Sequence, residues 1–261
     1  MEIQFEKYQG AGNDFIIIDN RSGAYSGLKQ EQISSLCNRN FGIGADGFIM
    51  IEESKEFDFK MNYFNADGKQ STMCGNGGRC AVLFVFNHGI SGKTSRFFAA
   101  DGLHMAEVVS DTQVCLTMSD VAEVISVGND WFVDTGSPHH IVKVTGVDQI
   151  DVEKKGASIR YEKRYAPDGT NVTFVESLGG NHFSIRTYER GVENETLACG
   201  TGAVAAAICM YHTSKTTESS IQIDTLGGTL QVDFNATENG GYQDIRLTGP
   251  SEKVFSGSVL L

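Results

Sequence analysis

The sequence predicts an α+β fold built from two similar halves. Three observations carry that prediction: many short strand-like segments, thirty glycines against three prolines, and a cysteine-glycine motif that occurs twice. A high glycine count with few prolines favours tight turns between short strands over rigid linkers. In chain order the strand-like segments are FIIID (15–19), FIMIEE (48–53), FDFKMNYF (57–64), HMAEVV (104–109), VCLTM (114–118), WFVDT (131–135), IVKV (141–144), NVTFV (171–175), FSIRTY (183–188) and TLQVDF (229–234). Each alternates in polarity or is rich in branched and aromatic side chains, as half-buried strands are. Short strands joined by glycine turns predict a mostly antiparallel sheet or barrel. Two segments read instead as helices, MCGNGGRCAVLFVFNHG (73–89) and ACGTGAVAAAICMYHT (198–213), each an apolar run at helical spacing behind C-G-x-G. The motifs Cys74-Gly75-Asn76-Gly77 and Cys199-Gly200-Thr201-Gly202 lie 125 residues apart (199 − 74), close to half of the 261-residue chain. Near that register Tyr63-Phe64 falls against Thr187-Tyr188, Gly10 and Asn13 against Gly136 and His139, and Leu116-Thr117 against Leu247-Thr248. Self-similarity of this kind is the mark of a duplication, here with a cysteine starting a helix in each copy.

Composition bounds the remaining possibilities. With 40% hydrophobic and 21% charged residues the chain has the make-up of an ordered globular protein, long enough for one large domain or two of about 130 residues. Acidic side chains outnumber basic ones 33 to 21, a net charge of −12, and such a surface repels phosphate backbones and anionic lipid. No nucleic acid and no membrane is therefore expected as a partner. The opening MEIQFEKYQ has no basic-then-apolar leader, and the apolar runs CAVLFVF (80–86) and AVAAAICMY (203–211) are too short to span a bilayer, which points to the cytoplasm. Six cysteines in a reducing compartment do not build a disulfide framework, and no C-x-x-C pair or histidine pattern offers a metal site. Cys37, Cys115 and Cys209 sit among apolar neighbours and read as core, as does Cys80 on the helix behind Cys74. Cys74 and Cys199 do not. Two nucleotide-loop look-alikes fail on spacing, because the glycines they require fall at Asn87 and Phe15.

A helix start leaves N–H groups unpaired and carries partial positive charge, so it stabilises an anion there by up to ~2 kcal/mol. That is enough to bring a thiol from about 8.5 to about 7, where it is largely thiolate at neutral pH. The glycines behind each cysteine let backbone amides approach a carboxylate closely. Two such ends facing one cavity would offer two sulfur bases and two anion clamps to one small acid. This suits proton exchange at the α-carbon of an amino acid. One thiolate removes the proton from one face and the opposite thiol reprotonates the other, while the amides of Gly75, Asn76, Gly200 and Thr201 stabilise the developing enolate. The two sulfurs would share a proton, and their titrations would belong to the pair.

Several separate motifs then resemble one family, the diaminopimelate epimerases: KYQGAGNDFIIID (7–19), FGIGADG (41–47), FNADG (64–68), MCGNGGRC (73–80), DTGSPHH (134–140), GTNVTFV (169–175) and YERGVENETLACGTGA (188–203). The resemblance spans essentially the whole chain. It implies two pseudo-symmetric halves, each a mostly antiparallel, barrel-like sheet around a central helix, with the active site in the cleft between them. The halves would be 1–120, completed by the last strand at 251–261, and 121–250. It also implies a cofactor-independent, metal-free enzyme that interconverts LL- and meso-diaminopimelate on the route to lysine and cell-wall peptide, and a possible homodimer. By motif, Cys74 and Cys199 match the acid-base thiols, with His139 and Glu189 beside them. Asn13, Asn65, Asn171 and Arg190 match the residues that hold the distal groups of the substrate. Gly75-Asn76 and Gly200-Thr201 match the amides on the α-carboxylate, and Glu189 also meets the substrate amino group. The chain departs from many relatives at Ser137, where G-N-P-H is replaced by G-S-P-H, and at Gly47, where some relatives carry glutamine; the stretch 191–195 is one residue longer than in some.

Plainer readings stand beside these. Asn13 and Asn65 suit turns, Arg190 suits an ordinary surface cation, and His139 suits a structural histidine. Other functions on the same fold are a proline racemase, which has no use for the distal-group residues, and an isomerase of phenazine synthesis, which lacks the cysteine pair. A catalytically silent small-acid binder or thiol sensor is the reading from another class, and it would incorporate no solvent deuterium at the α-carbon.

Overall fold

The computed structural model describes residues 2–261 and divides into two compact units, Met1–Leu116 with Gly249–Leu261, and Thr117–Thr248. The N-terminal unit runs β1 (Glu2–Gly10), β2 (Asn13–Asp19), α1 (Gln30–Cys37), β3 (Gly47–Glu52), β4 (Phe59–Asn65), β5 (Gln70–Ser71), α2 (Gly75–Asn87), β6 (Thr94–Ala99), β7 (Gly102–Ser110) and β8 (Gln113–Thr117). The C-terminal unit runs β9 (Val124–Val127), β10 (Asp130–Asp134), β11 (Pro138–Lys143), α3 (Val152–Arg160), β12 (Asn171–Gly179), β13 (His182–Glu189), β14 (Asn194–Thr196), α4 (Gly200–His212), β15 (Ser220–Thr225), β16 (Gly228–Ala236) and β17 (Tyr242–Pro250). The last strand, β18 (Glu252–Leu260), returns to the N-terminal unit and pairs antiparallel with β1 along its length.

The two units repeat each other strand for strand. In the first, β2 lies parallel to β3 and β4 parallel to β6, with antiparallel pairs β1–β2, β3–β4, β6–β7 and β7–β8. In the second the same places are taken by parallel pairs β11–β12 and β13–β15 and antiparallel pairs β10–β11, β12–β13, β15–β16 and β16–β17. Each sheet is thus mostly antiparallel with two parallel pairs, and each parallel pair is bridged by a connection carrying a helix. α2 packs against β1, β2, β3, β7 and β18, and α4 against β9 to β13, β15 and β16. Both helices are apolar around almost their whole circumference because a sheet wraps them on most sides; Gly77–Val85 and Gly202–Met210 are buried throughout.

Strand pairing also corrects part of the repeat register. Phe48 pairs with Phe64 and Val172 with Tyr188, which keeps Tyr63-Phe64 against Thr187-Tyr188. Phe15 pairs with Gly47 as His139 pairs with Asn171, so the counterpart of His139 is Phe15 rather than Asn13, and Ser137 stands where Asn13 stands. Gly136 answers to Gly12, and both turn the hairpin in the left-handed region at φ 86° and 81°. The slip arose from matching residue types across two hairpins whose turns are built differently.

Candidate active site

In the N-terminal unit Cys74 is the residue at which extended chain becomes helix, with φ −87° and ψ 129°, and its carbonyl accepts the N–H of Gly78 at 2.8 Å. The helix start leaves N–H groups without intrahelical acceptors. Asn13, at the head of β2, faces the same place: its Oδ1 accepts the Cys74 thiol at 3.6 Å and Asn76 Nδ2 at 3.4 Å, while its Nδ2 donates to Asp46 at 2.7 Å. Asn76 is itself held by Arg79, whose Nη2 donates to Asn76 Oδ1 at 2.7 Å. Asn65 ends β4 in a turn, its carbonyl accepting Gly68 N–H, and its side chain is exposed. It is a turn residue that leaves its amide available. Asp101 Oδ1 accepts the N–H of Met73, beside Cys74, at 3.1 Å.

The C-terminal unit builds a different environment at the equivalent point. Cys199 begins α4 with φ −114° and ψ 111° and is buried. Its sulfur lies 3.4 Å from Thr201 Oγ1, receives the Gly202 N–H and meets the carboxylate of Glu189, which also accepts Thr196 Oγ1 at 2.5 Å. His139 lies fully buried in the layer beneath, with Nε2 2.9 Å from Thr201 Oγ1 and Nδ1 3.1 Å from Thr173 Oγ1, which in turn touches Thr187. Asn171 donates to Ser137 Oγ (2.8 Å) and the Pro138 carbonyl (2.9 Å) and accepts the Arg190 N–H (2.8 Å), so it ties three segments together. The Arg190 guanidinium reaches the Asp168 carbonyl at 3.5 Å. The turn behind it is held by Glu193, itself at φ 58°, which accepts Gly191 N–H, Tyr161 Oη and Arg160.

Burial dominates the titration of this second cluster. It pushes the Cys199 thiol well above its ordinary range, the Glu189 charge adds to the effect, and the bonds from Thr201 and Gly202 offset only part. Burial also raises Glu189, against the lowering from Thr196 and Cys199. The helix-start effect, worth up to ~2 kcal/mol, therefore does not make Cys199 a thiolate in this state. His139 is pushed down to about 3 by burial, with Arg190 acting in the same direction, so it is a neutral imidazole that orients Thr201. Cys37, Cys80 and Cys209 are each raised to about 12 by burial, in keeping with a core role.

Thr173, Thr187, Thr196 and Arg79 join these clusters without having stood out in the sequence. The threonines carry no local signal, since their role arises from cross-strand pairing. Arg79 did carry one: it is the single charge in an otherwise apolar helix. Among the described residues no helix is long and apolar enough to cross a membrane.

Comparison with known proteins places the chain in one sequence family. A family model described as Diaminopimelate epimerase matches residues 5–124 and 131–254. The Diaminopimelate epimerase of Flavobacterium psychrophilum is 49% identical over 97% of this chain and 98% of its own, and that of Chlorobaculum tepidum is 49% identical over 97% and 99%. Among solved structures, a phenazine biosynthesis protein of the PhzF family from Bacillus anthracis superposes over 100% of both chains with a TM-score of 0.76 at 15% identity, a likeness of fold alone.

Proposed function

Because the chain belongs to the diaminopimelate epimerase family, we propose that it interconverts LL- and meso-2,6-diaminopimelate without a cofactor, a step toward lysine and peptidoglycan precursors. The observation that carries this reading is that, in a chain of that family, each half starts its buried helix with a cysteine at the same register. Inversion needs a base on one face of the α-carbon and an acid on the other, and these roles fall to Cys74 and Cys199. As a thiolate, one sulfur takes the α-proton; the other thiol delivers its proton to the opposite face, and the two exchange protonation states. The raised Cys199 thiol suits the donor in the first half-reaction: its proton goes to the α-carbon, the thiolate left behind is the base for the reverse direction, and Glu189 stands against that sulfur and favours its protonated form.

The helix-start amides at Gly75-Asn76 and Gly200-Thr201 bind the α-carboxylate and stabilise enolate charge. Arg190 takes the distal carboxylate, with Asn13, Asn65 and Asn171 completing the distal site. His139 keeps the Thr201 hydroxyl turned toward Cys199 as a neutral ring. Ser137, bonded to Asn171, supplies a hydroxyl where relatives carry an amide. A homodimer in the cytoplasm accompanies this reading and is checked by light scattering of the purified protein. The reaction is tested by incubating purified protein with LL-diaminopimelate in deuterated water, with nothing added. The expected result is meso product carrying deuterium at the inverted carbon, and no interconversion would overturn the proposal.

A further inference from the structure

We propose that Arg79 is the internal counter-charge of Cys74, a guanidinium buried little more than one turn into α2 that orients the amides beside the sulfur and favours the anion formed when the sulfur loses its proton. The inference rests on the reading of Cys74 as one of the two reacting thiols.

Arg79 is the largest of the fully buried side chains, at 0% exposure, in a helix with no other charge. Its bonds are to neutral groups: Nη2 to Asn76 Oδ1 at 2.7 Å and Nε to the Pro250 carbonyl at 3.3 Å, while Nη1 has no hydrogen-bond partner. A buried guanidinium without an anion is among the costliest arrangements in a protein, and a buried orphan N–H calls for a cause. Burial pushes the Arg79 guanidinium below its ordinary range, and the groups whose negative charge would act against that are the thiols of Cys80 and Cys74. Cys80, raised to about 12, stays neutral. That leaves Cys74.

Charged groups on the elements around α2 are engaged elsewhere. Lys7 of β1 is paired with Asp14 of β2 at 2.8 Å, and Asp14 also pairs with Arg39. Glu6 of β1 pairs with His88 and with Lys253 of β18, Asp19 of β2 with Arg21, and Glu52 of β3 with Lys60. The Tyr8 hydroxyl accepts Asn87. Glu2, Glu107 and Glu252 are exposed. Asp101 opposes an anion at Cys74 through its bond to Met73, but it pairs with His104 of β7 at 3.2 Å.

The hydrogen bonds trace the path from the guanidinium to the sulfur. Arg79 can only donate, and Asp46 accepts from the Asp14 N–H and from Arg39 as well as from Asn13, so the chain Arg79, Asn76, Asn13, Asp46 has a single consistent orientation of both amides. It turns the Asn13 carbonyl to the sulfur, where it receives the thiol proton at 3.6 Å and holds the protonated form, so the anion depends on the buried charge and not on the amides. When that proton leaves, the cation in the helix remains; when the sulfur takes an α-proton, the thiol form is again held by Asn13. Arg79 keeps its own proton throughout. In α4 the position at the same register is Val204, so this charge belongs to one half alone.

The test is the pH dependence of iodoacetamide alkylation at Cys74, followed by peptide mapping, in the parent, Arg79→Met and Arg79→Gln. Loss of the charge is expected to move the midpoint upward by about one pH unit or more. Glutamine still donates to Asn76 but carries no charge, so it should give the same shift in a fold that keeps the amide chain, and Arg79→Lys should return the midpoint toward the parent. A parental midpoint in either uncharged variant that folds overturns the proposal. Alkylation reads Cys74 itself, so a protein that failed to turn over diaminopimelate would refute the proposed reaction and leave this result standing.

Discussion

The cysteine that starts α2 donates to the Asn13 amide and has a cation buried in the helix behind it, whereas the cysteine that starts α4 lies against a carboxylate and the Thr201 hydroxyl, with a neutral imidazole behind that hydroxyl. Both halves retain what the backbone requires: the helix start, the glycine behind the sulfur and the leucine packed on that glycine, Leu116 in one and Leu247 in the other. They differ in what sets the charge. The two halves share the mount and differ in electrostatics, and on the proposed assignment one half suits a sulfur that becomes negative and the other a sulfur that holds its proton.

Removing either sulfur tests the comparison hardest. Cys74→Ala and Cys199→Ala should each lower epimerisation by about a thousandfold or more, since each deprives one face of its acid or base; chiral chromatography of the product checks this, and normal turnover by either variant would break the two-thiol scheme. Arg190→Ala, in the C-terminal half alone, should raise KM by about 10- to 100-fold, as loss of a charge-assisted pair does, with little change in Tm. An unchanged KM counts against its role.

The helix starts also differ in room. A Cβ on Gly200 would meet Leu247 Cδ2 at 2.9 Å, while one on Gly75 would meet nothing closer than Leu116 at 3.9 Å. Gly200→Ala should therefore cost about 1 to 3 kcal/mol in denaturant unfolding, and Gly75→Ala close to nothing; equal costs would mean the two mounts are equally tight. The smallest effect concerns His139. Its folded pKa, about 3, lies below the unfolded value of about 6.5, so the unfolded chain binds a proton that the native state refuses. That stability is complete above about pH 6.5 and declines as the pH falls toward 3. Between about pH 7 and about pH 5.5 the parent should lose about 1 kcal/mol more than His139→Gln, and parallel pH profiles would show that the ring is not held neutral.

The architecture was readable because its signals are local. Periodicity and glycine placement located strands such as β3, β12 and β13 and both central helices, and the doubled C-G-x-G exposed the repeat. The short helices α1 and α3 were not seen, since QEQISSLC and VEKKGASIR hold few apolar residues and bury only one edge. β15 was missed because SIQIDT is mixed in polarity, and β18 was reached only through the family resemblance, since EKVFSGSVL carries no clear alternation and pairs with β1 at the far end of the chain. At the site, Glu189 and the Thr201 hydroxyl sit beside Cys199, but the sign of the Cys199 shift could not be read from letters. A helix start is visible in sequence, whereas the loss of solvent around a sulfur is a property of the finished packing.

The strand that flanks β1 in the N-terminal unit is made only after the whole of the second unit. β1 is synthesised well before its partner and lacks β18 on one flank until residues 252–260 are made, while Thr117–Thr248 form an uninterrupted stretch. Vectorial synthesis thus favours maturation of the later half before the earlier one, with the bare flank of β1 exposed to unwanted pairing in the interval.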